Sequence, residues 1–138
     1  MYERHAIGKY GEDIAERFLK QKGYNIIVRN FSCRQGELDI IAENKEYLIF
    51  VEVKTRSNYL YGKPRDSVGK NKRRHMYKVA KYYLHIQGWE KRFVRFDVIE
   101  VYMEKGLARV IHIPQIMWFI SYKYLNYNKN HSKIVKEV

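Results

Sequence analysis

The chain has 138 residues and carries 27 Lys and Arg against 15 Asp and Glu, a formal net charge of +12 that attracts polyanions such as nucleic acid. A chain of this length builds one core, and its single cysteine excludes an internal disulfide or a multi-cysteine zinc site. It has no run of apolar residues long enough to span a membrane and no secretory leader at its start, so a soluble cytoplasmic protein is expected.

A helix is predicted at the start of the chain, where apolar residues recur at the three- and four-residue spacing of one helical face. The stripe runs from Ile7 to Leu19, and Gly23 is a suitable C-terminal stop. Glu12 lies at the edge of this stripe, from which its carboxylate could reach the rim of a sheet. A first strand is predicted over residues 24–30.

A β-hairpin is predicted over residues 36–56, which read GELDIIAENKEYLIFVEVKTR. Its two halves are apolar, and residues 43–46 between them are polar and rich in turn formers. The nearly continuous apolar run over residues 47–51 is typical of a strand buried on both faces. Ionisable residues that follow such a run are costly to bury unless they are paired or bind a metal.

Four charged residues occupy alternate positions of this hairpin. Residues two apart in a strand lie about 6.5–7 Å apart on one face, so Glu52 and Lys54 should project together. Glu37 and Asp39 have the same spacing on the other strand. Asp39 and Glu52 could hold Mg²⁺ or Mn²⁺, and Lys54 could assist at a scissile phosphate. The residues alone leave this metal site and a structural ion-pair patch both open.

The loop over residues 57–69 interleaves tyrosines with basic residues. Tyr59 and Tyr61 could stack on unpaired bases while Lys63 and Arg65 hold the nucleic-acid backbone. A mobile loop with two tyrosines packed on the surface explains the same composition equally well.

A basic amphipathic helix is predicted after this loop. Its apolar residues repeat at helical spacing from Met76 to Leu84, and Gly88 should end it. Between residues 63 and 81 there are eight basic residues and one acid, hence a local charge of +7 that indicates phosphate contacts. The residues expected to bind nucleic acid are Arg56, Lys63, Arg65, Lys70, Lys72, Arg73 and Arg74.

Two further strands are predicted at residues 93–101 and 107–113, joined by a short turn. The resulting order αβββαββ favours an α/β fold with a mixed sheet flanked by helices. Residues 1–122 are expected to form a single domain, and residues 123–138 a basic, flexible tail.

Several of these motifs together resemble those of a known protein family. They are GKYGE in the first helix, GELD and FVEVKTR in the hairpin, and RFDV in the fourth strand. The pattern resembles the YraN-type family of predicted endonucleases, over about residues 7–119. That family is distantly similar to archaeal Holliday junction resolvases and belongs with the PD-(D/E)XK nucleases, which implies a restriction-endonuclease-like fold.

The resemblance also implies a function and roles for individual residues. Asp39 and Glu52 would bind Mg²⁺ or Mn²⁺, Lys54 would be the catalytic lysine, and Glu12 an accessory catalytic carboxylate. The implied activity is hydrolysis of phosphodiester bonds in DNA, expected to be branched or partly single-stranded. The alternative is a non-catalytic nucleic-acid-binding module that keeps the nuclease fold.

A homodimer is one arrangement that suits a resolvase-like enzyme, because such an enzyme cuts two symmetry-related strands. The apolar segment over residues 111–120 could form the dimer contact. Closure of the monomer's own core explains the same residues.

Overall fold

In the computed structural model the described residues are 2–56 and 69–117, with side chains described from residue 8 onward. Within these ranges the chain forms two helices and five strands. In chain order they are α1 (Tyr2–Gln21), β1 (Asn25–Cys33), β2 (Gly36–Glu43), β3 (Leu48–Arg56), α2 (Lys70–Gln87), β4 (Val94–Glu104) and β5 (Leu107–Ile113).

The five strands form one mixed sheet in the order β1-β2-β3-β4-β5. Neighbouring strands are antiparallel except for β3 and β4, which are parallel. The parallel pair arises because α2 lies between these strands in the chain and carries it back to the same end of the sheet. The structure thus confirms the predicted αβββαββ order and the α/β class, in an arrangement consistent with a restriction-endonuclease-like fold.

The hairpin turn between β2 and β3 is fixed by one side chain. Asn44 Oδ1 accepts the main-chain N–H of Glu46 at 2.9 Å and that of Tyr47 at 2.7 Å. An asparagine that binds the backbone two or three residues ahead stabilises a turn locally. The predicted hairpin is therefore present, with its turn in the predicted place.

Two hydrophobic clusters lie on opposite faces of the sheet. On one face, Phe50 of β3 stacks on Phe96 of β4 with ring centroids 5.6 Å apart, in the cluster that includes α2. On the other face, Ile49 and Val51 of β3 belong to the cluster that includes Leu19 of α1. Because β3 is covered on both faces, its first half is apolar without alternation, and Glu52 is the first charged residue after that run.

A buried charge network joins β4 to β5 on the α1 face. Asp97 is fully buried and accepts hydrogen bonds from Arg95 Nε at 2.9 Å, His112 Nε2 at 2.7 Å and the main-chain N–H of Gln115 at 3.1 Å. Burial alone would raise the pKa of Asp97, but the hydrogen bonds from His112 and Arg95 hold this pKa below its usual value. The network therefore stabilises the ionised carboxylate and fixes β5 at the edge of the sheet.

No helix in the described part of the chain is long and apolar enough to cross a membrane. The tail predicted for residues 123–138 lies outside the described residues, as do residues 118–120 of the apolar segment. The described part of that segment packs on the core of its own chain through Ile113, Ile116 and Met117. The domain boundary at residue 122 and the homodimer therefore stay predictions.

Candidate functional site

Asp39 lies where β2 and β3 separate. The paired register of these strands ends at Ile40 opposite Val51, and Asp39 is the next residue of β2 beyond that pair. Asp39 Oδ2 accepts the main-chain N–H of Val53 at 2.7 Å. The Asp39 side chain thus takes the place of a main-chain carbonyl as the hydrogen-bond acceptor for this N–H group. The hydrogen bond holds the carboxylate at the point where β2 and β3 separate.

Glu52 and Lys54 project from β3 on the face that α2 covers, because they continue the alternation that begins with Phe50. Glu52 is 5% exposed, and its Oε1 lies 3.4 Å from Lys54 Nζ. The same oxygen lies 3.1 Å from Lys72 Nζ, in the first turn of α2. One buried carboxylate oxygen is therefore shared by two ammonium groups from different elements.

The electrostatics of Asp39 show that its charge is poorly compensated. Burial is the main cause that raises the pKa of Asp39, to about 7, and the negative charge of Glu52 is the second. The N–H of Val53 and the charge of Lys72 act in the opposite direction, while Glu12 adds to the increase. The structure therefore brings the carboxylates of Asp39, Glu52 and Glu12 within electrostatic reach of one another.

Glu12 reaches this region because α1 passes very close to the end of β3. A Cβ atom at Gly11 would overlap Thr55 Oγ1 and would lie 3.0 Å from Thr55 Cβ. The residue at this crossing must therefore lack a side chain. Glu12 follows directly on the helix and is carried to the rim of the sheet.

Arg29 of β1 holds the acidic side of α1 against the sheet. Its guanidinium binds Asp13 at 2.6 Å and Glu16 at 3.0 Å, and Arg29 Nη2 lies 3.4 Å from Glu12 Oε2. Glu12 is thus oriented by an arginine from a neighbouring strand. The helical stripe predicts the position of Glu12 at the rim, but the pairing with Arg29 depends on a contact between distant segments and has no local signal.

A second buried carboxylate lies beside β3 on the same face. Glu100 of β4 is fully buried and is aligned with Lys54 in the parallel register. Its Oε2 lies 3.6 Å from Arg56 Nε, and neither oxygen has a hydrogen-bond partner among the described residues. Glu100 is absent from the predicted set, although an acid inside the apolar stretch VIEV is a signal that could have found it.

The first turn of α2 is rich in cations. Its N-cap is Gly69, which has no side chain to bind the free N–H groups, and the first turn of this helix contains no acidic residue. Lys70, Arg73 and Arg74 are exposed there. Positive side chains oppose the positive end of a helix dipole, so an anion bound at this turn would be favourable.

Lys72 differs from these neighbours in its location. The sequence places it with the outer basic residues of α2, whereas the structure pairs it with Glu52 inside the candidate site. Glu37 is exposed at the start of β2, opposite Ser32 of β1, and is not one of the main causes of the raised pKa of Asp39. Lys63 and Arg65 lie outside the described residues.

The site contains a pair of carboxylates suited to one small divalent cation. No group of three or more His, Cys, Asp or Glu side chains within residues 8–56 and 69–117 is placed to hold a metal ion alone. Mg²⁺ needs only one or two carboxylates, because water and substrate phosphate fill its other positions. Asp39 and Glu52, with the poorly compensated charge at Asp39, fit that requirement.

Comparison with known proteins places these residues in a family. A model described as "Uncharacterised protein family UPF0102" matches residues 11–101, the segment that contains Glu12, Asp39, Glu52, Lys54 and Lys72. A UPF0102 protein of Clostridium perfringens is 47% identical over 96 residues, which cover 70% of this chain and 79% of that protein. One from Caldicellulosiruptor saccharolyticus is 44% identical over 100 residues, covering 72% of this chain and 85% of that protein. The chain therefore belongs to the UPF0102 family.

Proposed function

We propose that the protein is a Mg²⁺- or Mn²⁺-dependent endonuclease that hydrolyses phosphodiester bonds in DNA, with branched or partly single-stranded DNA as its substrate. The observation that carries the proposal is the bond from Val53 N–H to Asp39, which holds this carboxylate at the split between β2 and β3, within electrostatic reach of Glu52. Glu52 in turn lies beside Lys54. The resemblance to YraN-type endonucleases supports the same assignment.

The chemistry follows from the residue types. Asp39 and Glu52 would hold the cation, which when bound supplies Lewis-acid stabilisation of the phosphate and a water of lowered pKa. Lys54 would donate a hydrogen bond to the attacking water or to a non-bridging phosphate oxygen, and its charge would offset the charge that develops in the transition state. The attacking water would form a bond to phosphorus and give up one proton, the bond to the leaving oxygen would break, and that oxygen would take up a proton from water.

The neighbouring charges suit the DNA on either side of the cleaved bond. Lys70, Arg73 and Arg74 are exposed at the start of α2, the helix that also reaches Glu52. Arg56 lies at the end of β3, where Glu100 holds its guanidinium. These cations would bind phosphates without reading bases, so DNA structure rather than sequence would determine the preferred substrate.

A non-catalytic nucleic-acid-binding module is the second candidate. It is favoured by the fact that Glu52 is already paired with Lys54 and Lys72 without any divalent cation. Such a module would bind DNA equally well with and without a chelator. The endonuclease would need the cation for cleavage.

The test is a cleavage assay of the purified protein with Mn²⁺ on duplex, flap, four-way junction and single-stranded DNA. Asp39→Asn, Glu52→Gln and Lys54→Ala should each reduce cleavage about a hundredfold or more while DNA affinity is retained, because these residues act mainly in the transition state. Glu46→Gln, an exposed carboxylate in the hairpin turn, is the matched control. A triple variant that still cuts at the wild-type rate would show that the proposed site does not cleave DNA.

A further inference from the structure

We propose that Lys72 is a second lysine of the site, which exchanges between Glu52 and a phosphate of the bound DNA and so makes the binding of cation and DNA cooperative. This inference rests on the proposed function, because it requires a cation at Asp39 and Glu52. It gives Lys72 a different task from the exposed cations beside it on α2.

The geometry singles out Lys72 among the basic residues of α2. Its Nζ lies 3.1 Å from Glu52 Oε1, closer than Lys54 Nζ at 3.4 Å. The Lys72 side chain is 37% exposed, whereas that of Glu52 is 6% exposed. Lys72 therefore spans from the surface of the helix to a buried carboxylate, and its flexible four-carbon stem allows the ammonium group to turn outward.

Competition for the Glu52 carboxylate follows from this contact. A divalent cation bound by Glu52 would lie close to the two ammonium groups at Oε1, and like charges repel most strongly where water is scarce. Lys72 also acts on Asp39, whose pKa its charge lowers. It thus interacts with both expected ligands, and a bound cation would weaken its hold on each of them.

Once the Lys72 ammonium group has left Glu52, a DNA phosphate at the first turn of α2 could bind it. Its neighbours in the first turn of α2, Lys70 and Arg73, are exposed, and Gly69 leaves the N–H groups of that turn without a side-chain cap. A DNA phosphate at this turn would accept a hydrogen bond from Lys72. Cation binding would therefore prepare the site for DNA, and DNA would tighten cation binding by the same factor.

The experiment measures Mn²⁺ affinity by calorimetry, first without DNA and then with a phosphorothioate oligonucleotide that resists cleavage. Lys72→Gln should raise the affinity for Mn²⁺ alone about fivefold, and should reduce by a similar factor the enhancement that the oligonucleotide produces. Arg73→Gln removes the same charge from the next, exposed position and should change Mn²⁺ affinity without DNA by less than about twofold.

The possible failures can be told apart. If wild type binds Mn²⁺ no better than Glu52→Gln does, the proposed cation site is absent and the inference is overturned with it. If wild type binds Mn²⁺ through Glu52 but Lys72→Gln leaves that affinity unchanged or weakens it, the inference alone is overturned. If Lys72→Gln and Arg73→Gln change the Mn²⁺ affinity equally, the inference is also overturned, because the change would then reflect only the lower net positive charge of the protein.

Discussion

The carboxylate of Asp39 accepts the main-chain N–H of Val53 at 2.7 Å, across the point where β2 and β3 separate. The bond gives Asp39 a structural role besides its expected role as a ligand. An asparagine at this position could accept the same hydrogen bond through its carbonyl oxygen but would carry no charge. The two roles can therefore be separated by a single substitution.

Asp39→Asn should make the protein more stable than wild type at pH 8 in the presence of a chelator. Burial and Glu52 raise the pKa of Asp39 from 3.8 to about 7, so the ionised form is unfavourable in the folded state. Thermal melting of both proteins at pH 8 checks this. The same variant should lose any increase in melting temperature that Mn²⁺ gives wild type.

The pH dependence of this difference has a definite sign. Because the pKa of Asp39 is raised on folding, its contribution to stability is fully present below about pH 4 and is lost as the pH rises through about 7. The free energy of unfolding of Asp39→Asn should therefore exceed that of wild type by an amount that grows from about pH 4 to about pH 7 and is constant above pH 7. A gain that is equal at pH 5 and pH 8 would contradict the assignment.

Asp97→Asn should destabilise the protein strongly, whether or not a cation is present. It would remove the charge that pairs with Arg95 in a fully buried position, and breaking a buried ion pair costs about 3–5 kcal/mol. Because the pKa of Asp97 is lowered on folding, its stabilisation is present above pH 4 and is lost as the pH falls below that. Urea denaturation at pH 7 with and without Mn²⁺ measures the decrease in the free energy of unfolding. A decrease of less than about 1 kcal/mol would contradict the predicted role of the buried ion pair.

Gly11→Ala and Gly8→Ala should have opposite effects although both lie in α1. The added methyl at position 11 would overlap Thr55, so the helix must move away from β3 at a cost of about 1–3 kcal/mol. A methyl group added at position 8 would meet no atom of the described residues within 4 Å outside its own stretch of helix, and alanine should stabilise the helix by about 0.5–1 kcal/mol. Denaturant unfolding of the two variants and of wild type measures the change in the free energy of unfolding that each substitution causes. Equal effects would mean that α1 does not contact Thr55 in solution.

The double variant Arg73→Gln, Arg74→Gln should weaken DNA binding on all sequences alike. Both side chains are exposed at the start of α2, where phosphate contacts are expected. Each duplex phosphate contact contributes about 0.9 to the slope of log affinity against log salt concentration, so the slope should become shallower by up to about 1.8. Lys91→Gln, exposed beyond the other end of α2, is the control. If the double variant keeps the wild-type slope of log affinity against log salt concentration, the start of α2 does not contact DNA phosphates.

The sequence predicts those features whose signals are local. The period-two spacing of Glu52 and Lys54, and the apolar run before them, are sufficient to predict a buried strand that ends in a charged pair. The turn at Asn44 and the left-handed Gly88 after α2 are also encoded in single residues. For this reason the element order and the hairpin could be derived without the structure.

The missing features depend on how distant segments pack. The bond between Asp39 and Val53 requires the register of β2 against β3, which no local pattern gives. Lys72 enters the site because of the way α2 is rotated on the sheet, and Glu100 becomes the neighbour of Lys54 only through the parallel pairing of β3 with β4. The expected contact of Lys72 with nucleic acid stays a prediction, and its pairing with Glu52 is an additional contact that the basic pattern of α2 does not indicate.

The most direct test of the proposed cation site is a crystal structure of the protein grown with Mn²⁺, with data collected at the manganese absorption edge. One anomalous peak is expected about 2.2 Å from carboxylate oxygens of both Asp39 and Glu52. Lys72 Nζ should then lie farther from Glu52 Oε1 than the present 3.1 Å. A structure from the same crystals with no peak at this position, and with both lysines still on Glu52, would contradict the proposal that these two carboxylates form a metal site.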